Sequence, residues 1–190
     1  TNITAKIIEN IDNLLIGKVF LANTLGYYIR AKSSRDIPTN ILTQVLNAVS
    51  FPVLSKVQDN EKEFNQYHVR FYKIAVFGFL PVVFGFIAIA KAFIVVLFSA
   101  KWLPAVPYLQ IISLAGVGTF LAALFQQSLL AKGNSKLFFQ LNTAKKLLGL
   151  ISIPFGIFWG IIPFLWAIVA ISAICLLLDF YYVGRFIHIS

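Results

Sequence analysis

Apolar runs of membrane-spanning length recur along the chain, separated by shorter polar segments. A helix that crosses a bilayer needs roughly 20 mainly apolar residues, and six runs approach that length. The pattern predicts an all-α integral membrane protein, with residues 1–190 forming a single lobe, a six-transmembrane-helix bundle. The six predicted spans are residues 3–22, 37–57, 72–90, 109–130, 147–162 and 164–183.

The first and second predicted spans carry polar side chains along one face, seen when each residue is placed about 100° on from the last. In the first span the stripe holds Asn2, Lys6, Glu9, Asn10, Asp12, Asn13 and Gly17. In the second span it holds Lys32, Asp36, Thr39, Asn40, Thr43, Asn47 and Ser50. Because ionisable groups are costly in lipid, such faces must turn to a water-filled cavity or to other protein. The other spans are predicted to form the walls of that cavity.

The segments between the spans are mostly polar. Residues 55–73 are predicted to form a short interfacial helix, on which His68 is a solvated surface residue. The third span either continues through Lys91 or ends before an interfacial run at 93–98. Pro38 suits the first turn of the second span. Three further breaks are predicted: a loop at 101–108, a turn at 131–136, and a tight hairpin at 160–163.

Composition supports a membrane protein and excludes other classes. Hydrophobic residues make up 59% of the chain and charged residues 12%, with a mean hydropathy of +0.83, against about 45–50% and about 25% in soluble domains. The net charge of +9 does not indicate a nucleic-acid partner, since basic nucleic-acid domains have far more polar surface. The single cysteine, Cys175, excludes an intramolecular disulfide and a cysteine metal cluster. We predict neither a metal site nor a cofactor.

The distribution of Lys and Arg predicts the orientation in the membrane, since these residues are enriched in cytoplasmic loops. If the six spans alternate, nine Lys and Arg residues fall on the side that holds 55–73 and 131–146, and six fall on the other. Four of those six belong to the hairpin between the two striped spans, which is predicted to face the cavity. The side with nine is therefore predicted to be cytoplasmic.

Two acidic residues of the first span are candidates for function. Glu9 and Asp12 lie one helical turn apart and so share a face. Three roles are open to them: pairing with Lys6 or with a base on another helix, carrying a proton or a coupling cation, or contacting a substrate directly. No nucleophile elbow or phosphate loop is visible in the sequence, so we assign no catalytic residues.

A cationic run, Arg30, Lys32 and Arg35, lies near the predicted junction of the two striped spans. Arg suits bidentate recognition of phosphate and Lys makes a point-charge contact, so the run is suited to an anionic headgroup. The alternative is that these side chains snorkel to headgroup level without a specific ligand.

Several short segments follow one another in a characteristic order up to about residue 150. They are NIDNLLIGKVF at 10–20, LGYY at 25–28, PTNI at 38–41, FPVLS at 51–55, KWLPA at 101–105 and AKG at 131–133. This series resembles the polysaccharide flippases of bacterial envelope biosynthesis (O-antigen or lipopolysaccharide type, Wzx-like). Those flippases belong to the multidrug/oligosaccharidyl-lipid/polysaccharide exporter superfamily.

The resemblance implies a two-lobed transporter, not an enzyme, of which this chain is the second lobe. The chain begins at Thr1 and contains no Met, so we expect it to be an internal piece of a longer protein. By resemblance, that protein moves a polyprenyl-diphosphate-linked oligosaccharide across the bacterial inner membrane by alternating access. The implied partners are the lipid-linked oligosaccharide, membrane lipids and the missing N-terminal lobe.

The resemblance also gives the candidate residues roles. Arg30, Lys32 and Arg35 become candidates for the diphosphate. The sugar or a coupling ion would be contacted by Asp12, Asn13 and Asn40, and a coupling ion or proton by Glu9 and Asp12.

Three other functions remain open. A cation-coupled multidrug exporter of the same superfamily is one alternative, because the sequence offers acidic as well as basic residues. A membrane-bound polyprenyl-phosphate glycosyltransferase would need a carboxylate-rich metal site or a loop base, and the loops offer little of either. A subunit that only packs would not require two polar stripes.

Overall fold

The computed structural model of the protein describes residues 22–187, with side chains described as far as Arg185. Over that range the backbone is helical, with short breaks between elements. A 3-10 helix, Ala100–Ala105, precedes the third α-helix. The α-helices are α1 Ala22–Lys56, α2 Glu61–Phe98, α3 Val106–Ala131, α4 Ser135–Gly149, α5 Ser152–Trp159 and α6 Ile161–Ile187.

The second predicted span is part of a longer helix than the sequence suggested. Helix α1 runs without interruption from Ala22 to Lys56 and contains both Pro38 and Pro52. The predicted junction before residue 37, and the placement of Pro38 in a first turn, are therefore wrong. A proline removes one backbone donor, but in lipid the surrounding residues still satisfy their backbone groups best by staying helical. The first predicted span, 3–22, lies outside the described residues apart from Ala22.

Helix α2 replaces the predicted interfacial helix at 55–73 and the third span. It begins after Asn60, whose side-chain oxygen accepts a hydrogen bond from the Glu63 N–H at 3.2 Å. Glu61 and Glu63 in the first turn complement the positive end of the helix dipole. Further on, Pro81 is the proline inside this helix, which continues through Lys91 to Phe98. Of the two alternatives for this region, the structure thus has the one in which the helix continues through Lys91, and not a separate interfacial run at 93–98.

The next two predicted breaks have different outcomes. Residues 101–108 are not a loop, because the 3-10 helix leads directly into α3, with Pro107 in its first turn. Helix α3 confirms the fourth predicted span. The turn after it is also confirmed: Gly133 has a φ of 71°, a left-handed conformation that glycine adopts without strain, and Asn134 caps α4.

The fifth predicted span is divided between two helices. Helix α4 ends at Gly149 and α5 holds only eight residues, about 12 Å of helix against a hydrocarbon core of about 30 Å. Helix α6 confirms the sixth span, and only Gly160 separates it from α5, as the predicted tight hairpin requires. The described range thus holds four helices that are long and apolar enough to cross a membrane, and the predicted count of six is not confirmed. They are Ala22–Lys56, Glu61–Phe98, Ala100–Ala131 and Ile161–Arg185.

Helix α3 is the centre of the described bundle. In its most apolar stretch 67% of the residues are buried, against 11–17% for the other three long helices. It packs against α1, α2 and α6. Large apolar side chains on the outside, such as Phe77 at 84% exposed and Leu177 at 68%, fit a surface in contact with lipid. The boundaries of the predicted single lobe, 1–190, remain a prediction.

Two buried clusters at opposite ends show that the helices alternate in direction. At one end, the last turns of α1, α3 and α6 pack against the first turns of α2 and α4. This cluster includes Leu54, Phe64 and Val183. At the other end, Ala31 of α1 meets Ala90 at the far end of α2. The described long helices thus run in alternating directions. That the first of these ends is cytoplasmic remains a prediction.

Candidate functional site

The polar stripe predicted for the second span lines a pocket on α1. This pocket, called here the Arg35 pocket, has a volume of about 280 Å³. Five of its residues come from about two and a half turns of α1 and one comes from α3. They are Arg35, Asp36, Thr39, Asn40, Thr43 and Thr119. The side chains offer a cation, a carboxylate, hydroxyls and an amide, which suits a ligand with anionic and hydroxyl groups.

Arg35 reaches this pocket because α3 has a glycine opposite it. A Cβ added at Gly116 would lie 3.3 Å from Cδ of Arg35, so any larger residue would displace the guanidinium stem. One terminal nitrogen of Arg35 lies 2.6 Å from a carboxylate oxygen of Asp36. The Nε atom of Arg35 is buried and has no hydrogen-bond partner among the described residues. The guanidinium therefore has one donor that is unpaired among the described residues.

Unpaired polar atoms extend along α1 beyond the pocket. Ser34 Oγ, Asn47 Oδ1 and Ser50 Oγ are also buried without a hydrogen-bond partner in the described part of the chain. An unpaired buried polar group costs about 1–3 kcal/mol, and such groups in membrane segments mark ion or substrate pathways. This pattern supports the prediction that the stripe faces a cavity or other protein.

The structure does not bring the three predicted cations together. Arg30 lies in the first turns of α1, where its guanidinium stacks on Phe98 and Trp102, 4.3 and 4.8 Å from the ring centroids. Lys32 has its Nζ atom 5.8 Å from the ring centroid of Tyr28. Of the predicted binding residues, Arg35 and Asn40 share one pocket, whereas Glu9, Asp12 and Asn13 lie outside the described residues.

Sequence reasoning missed a second pocket, which lies between α3, α4 and α6. This pocket, called here the Lys145 pocket, has a volume of about 310 Å³. Its lining includes the polar residues Thr119, Gln126, Asn142, Lys145, Lys146 and Ser172. The signal in the sequence was the pair Lys145 and Lys146 on an amphipathic segment, together with a lone Asp179 in the last span.

Lys145 and Asp179 form an ion pair beside the second pocket. Nζ of Lys145 lies 2.8 Å from each carboxylate oxygen of Asp179, and Asp179 is only 1% exposed. Lys145 is ten residues into α4 and Asp179 eight residues before the end of α6. Measured along the helix axes, Lys145 is about 15 Å from the start of α4 and Asp179 is about 12 Å from the end of α6. These two helix ends lie at the same end of the bundle. The pair is thus inside the bundle and holds α4 against α6.

His68 is buried, so its predicted place on the surface is wrong. The long helix α2 turns it inward, where it is 2% exposed and its Nδ1 lies 2.6 Å from Oγ of Ser128. Its ring also contacts Phe125, with the centroids 5.4 Å apart. Among the described residues no three His, Cys, Asp or Glu side chains are grouped as metal ligands would be.

Comparison with known proteins identifies the family. The profile of a family described as polysaccharide biosynthesis protein matches residues 1–107 of the chain, which is more than half of it. The chain belongs to the polysaccharide biosynthesis protein family. The relation inferred above from the ordered short segments is therefore confirmed.

Individual proteins also align with most of the chain. The teichuronic acid biosynthesis protein TuaB of Bacillus subtilis is 30% identical over 139 residues, 73% of this chain. The lipopolysaccharide biosynthesis protein WzxC of Escherichia coli is 26% identical over 77% of the chain. An uncharacterized membrane protein in the cps region of Klebsiella pneumoniae is 25% identical over 80% of it.

The chain spans about three-tenths of the length of these relatives, from 29% to 31%. No solved structure matches it. Together with the four long apolar helices, the family relation identifies a multi-pass bacterial membrane protein, as the sequence predicted.

Proposed function

We propose that the protein to which this chain belongs moves a polyprenyl-diphosphate-linked oligosaccharide across the cytoplasmic membrane by alternating access. Two relatives are named for the biosynthesis of teichuronic acid and of lipopolysaccharide. A membrane protein of such a family is suited to moving lipid-linked sugar units across the bilayer.

The Arg35 pocket is the observation that carries the proposal. It places a guanidinium, one donor of which is unpaired among the described residues, on a helix that is long and apolar enough to cross the membrane. An ionisable residue in such a helix is by default a candidate for a substrate pathway. A planar guanidinium matches the oxygens of a phosphate group better than any other side chain does.

The surrounding residues fit the remaining parts of the substrate. Asn40, Thr39 and Thr43 present amide and hydroxyl groups suited to sugar hydroxyls. Lys32, one turn before Asp36 on the same stripe, does not line the pocket and has its Nζ atom near the Tyr28 ring, so it would add its positive charge from outside the pocket. In the predicted orientation, Arg30, stacked on aromatic rings near the outer end of the bundle, would meet the diphosphate after it leaves the pocket. The contacts proposed for Asp12 and Asn13, and the coupling role of Glu9 with Asp12, rest on the sequence alone.

Transport by the full-length protein in vesicles tests the proposal. The vesicles would carry a labelled polyprenyl-diphosphate oligosaccharide, and its movement between leaflets would be compared for wild type, Arg35→Gln and Arg35→Lys. We expect Arg35→Gln to slow movement about tenfold or more, the value of one hydrogen bond to a charged group, and Arg35→Lys to recover part of the rate. Arg70→Gln, an exposed position on α2, is the matched control.

Two results would overturn the proposal. If Arg35→Gln folds and transports as fast as Arg70→Gln, the pocket does not bind the substrate. If wild type moves no lipid while a cationic dye crosses against a proton or sodium gradient, the protein is a multidrug exporter, and Glu9 and Asp12 become the residues to test.

A further inference from the structure

Building on the function proposed above, we infer that the Lys145 pocket is a second binding site for the diphosphate group, with Lys146 as its contacting cation. The substrate would occupy the Arg35 pocket and the Lys145 pocket at successive stages of its passage. The ligand class is an anionic diphosphate attached to a polyprenyl chain.

The lining of the pocket is suited to such an amphiphile. Amide, hydroxyl and ammonium groups come from Gln126, Asn142, Thr119 and Lys146, and an apolar wall comes from Ala122, Ile168 and Ile171. A volume of about 310 Å³ lies at the lower end of the range of about 300–1,000 Å³ that is typical of small-molecule sites, and is sufficient for a headgroup but not for the whole lipid.

The charges leave Lys146 available for an anion. Asp179 neutralises Lys145 through two contacts of 2.8 Å. Lys146, the next residue, is exposed and has no ion-pair partner among the described residues. The three side chains together carry one positive charge. The ion pair also fixes the last turns of α4 against α6, which makes Lys145 and Asp179 positioning residues for Lys146.

The helix next to Lys146 tightens at this pocket. Leu150 and Ile151 keep right-handed helical dihedral angles, but their N–H groups donate to the carbonyls of Leu147 and Leu148, three residues back. The flanking Gly149 and Ser152 line the pocket. A short 3-10 turn inside a helix often marks a functional hinge or local strain, and here it lies beside the cation.

The two pockets adjoin on helix α3. Thr119 lines both of them. Two glycines just before it let other elements approach α3 closely, since Gly116 faces Arg35 and Gly118 lies against the backbone of Ser172. Thr119 therefore offers the diphosphate a polar neighbour that the two pockets share.

Protection of Cys175 is a direct test, because this single cysteine of the chain lines the Lys145 pocket. The full-length protein, with any other cysteines replaced, would react with N-ethylmaleimide in detergent in the presence of farnesyl diphosphate. An Arg35→Gln background removes the first site. In that background we expect farnesyl diphosphate to slow the labelling, with an affinity that falls about tenfold in Lys146→Gln, the value of one charge-assisted contact.

Controls separate this site from other sources of protection. Lys136→Gln, an exposed position on the same helix, should change the affinity less than twofold, and Lys146→Arg should preserve it. Farnesol tests the tail alone and inorganic diphosphate the headgroup alone. Protection by farnesol as strong as that by farnesyl diphosphate, or equal affinities in Lys146→Gln and Lys136→Gln, would overturn the second site.

Vesicle transport then distinguishes the failure of each proposal. If Arg35→Gln stops lipid movement but Lys146→Gln moves lipid as fast as Lys136→Gln, the proposed function stands and the second site is wrong. If wild type moves no lipid, the proposed function is wrong, and the labelling of Cys175 still decides whether the pocket binds a diphosphate.

Discussion

Replacing Asp179 by Asn tests how much one buried ion pair contributes to the stability of this bundle. Asp179 is 1% exposed, and both of its carboxylate oxygens lie 2.8 Å from Nζ of Lys145, whose side chain is 13% exposed. The substitution leaves the ammonium of Lys145 buried without a counter-charge. Breaking such a pair from one side costs about 3–5 kcal/mol. We expect Asp179→Asn to lower the folding equilibrium constant by at least about a hundredfold.

Unfolding of the full-length protein in detergent, by heat or by a denaturing surfactant, measures this loss. Asp59→Asn is the control, since Asp59 is exposed in the turn between α1 and α2. Exposed charges of this kind contribute about 0–1 kcal/mol. The double variant Lys145→Met/Asp179→Leu should recover most of the lost stability, because it removes both charges together and leaves neither unpaired.

The reasoning would be refuted by either of two results. One is that Asp179→Asn is as stable as Asp59→Asn. The other is that the double variant is no more stable than Asp179→Asn, since the loss would then come from altered packing of α4 on α6 and not from an unpaired charge.

Two further substitutions test contacts of α3. Gly118→Ala would place a Cβ 2.9 Å from the carbonyl oxygen of Ser172, so α3 and α6 must separate. We expect a loss of about 1–3 kcal/mol in the same unfolding assay. Gly78→Ala, with nothing within 4 Å, should cost nothing, and equal effects would contradict the close approach. His68→Phe keeps a ring but loses the bond to Ser128, so unfolding should show a loss of about 1 kcal/mol; unchanged stability would contradict that bond.

Local features of the sequence were sufficient for some elements. Helix α6 follows a continuous apolar run, and the turn before α4 follows Gly133 and Asn134, whose conformations suit a break. Proline was a less reliable guide to where a helix begins or ends. Pro38 and Pro81 lie inside helices, because the alternative in lipid is a larger number of unsatisfied backbone groups.

The candidate site was predicted in part. The period of the polar residues placed Thr39, Asn40 and Thr43 on one face of a helix, and the structure finds them in one pocket. The helical period did not show that Arg30 and Arg35 lie in different surroundings. The sequence alone does not reveal that Phe98 and Trp102 approach Arg30 at the end of the bundle.

The sequence by itself determined that this is a helical membrane protein with a polar stripe, because hydropathy and helical period are properties of neighbouring residues. It also determined the family, through short segments in a fixed order. Only the tertiary structure decided that Asp179 pairs with Lys145, that His68 is buried against Ser128, and that two pockets meet at Thr119. These contacts join residues distant in sequence on different helices. They depend on how closely the helices approach α3, which its glycines permit and which no local pattern reveals.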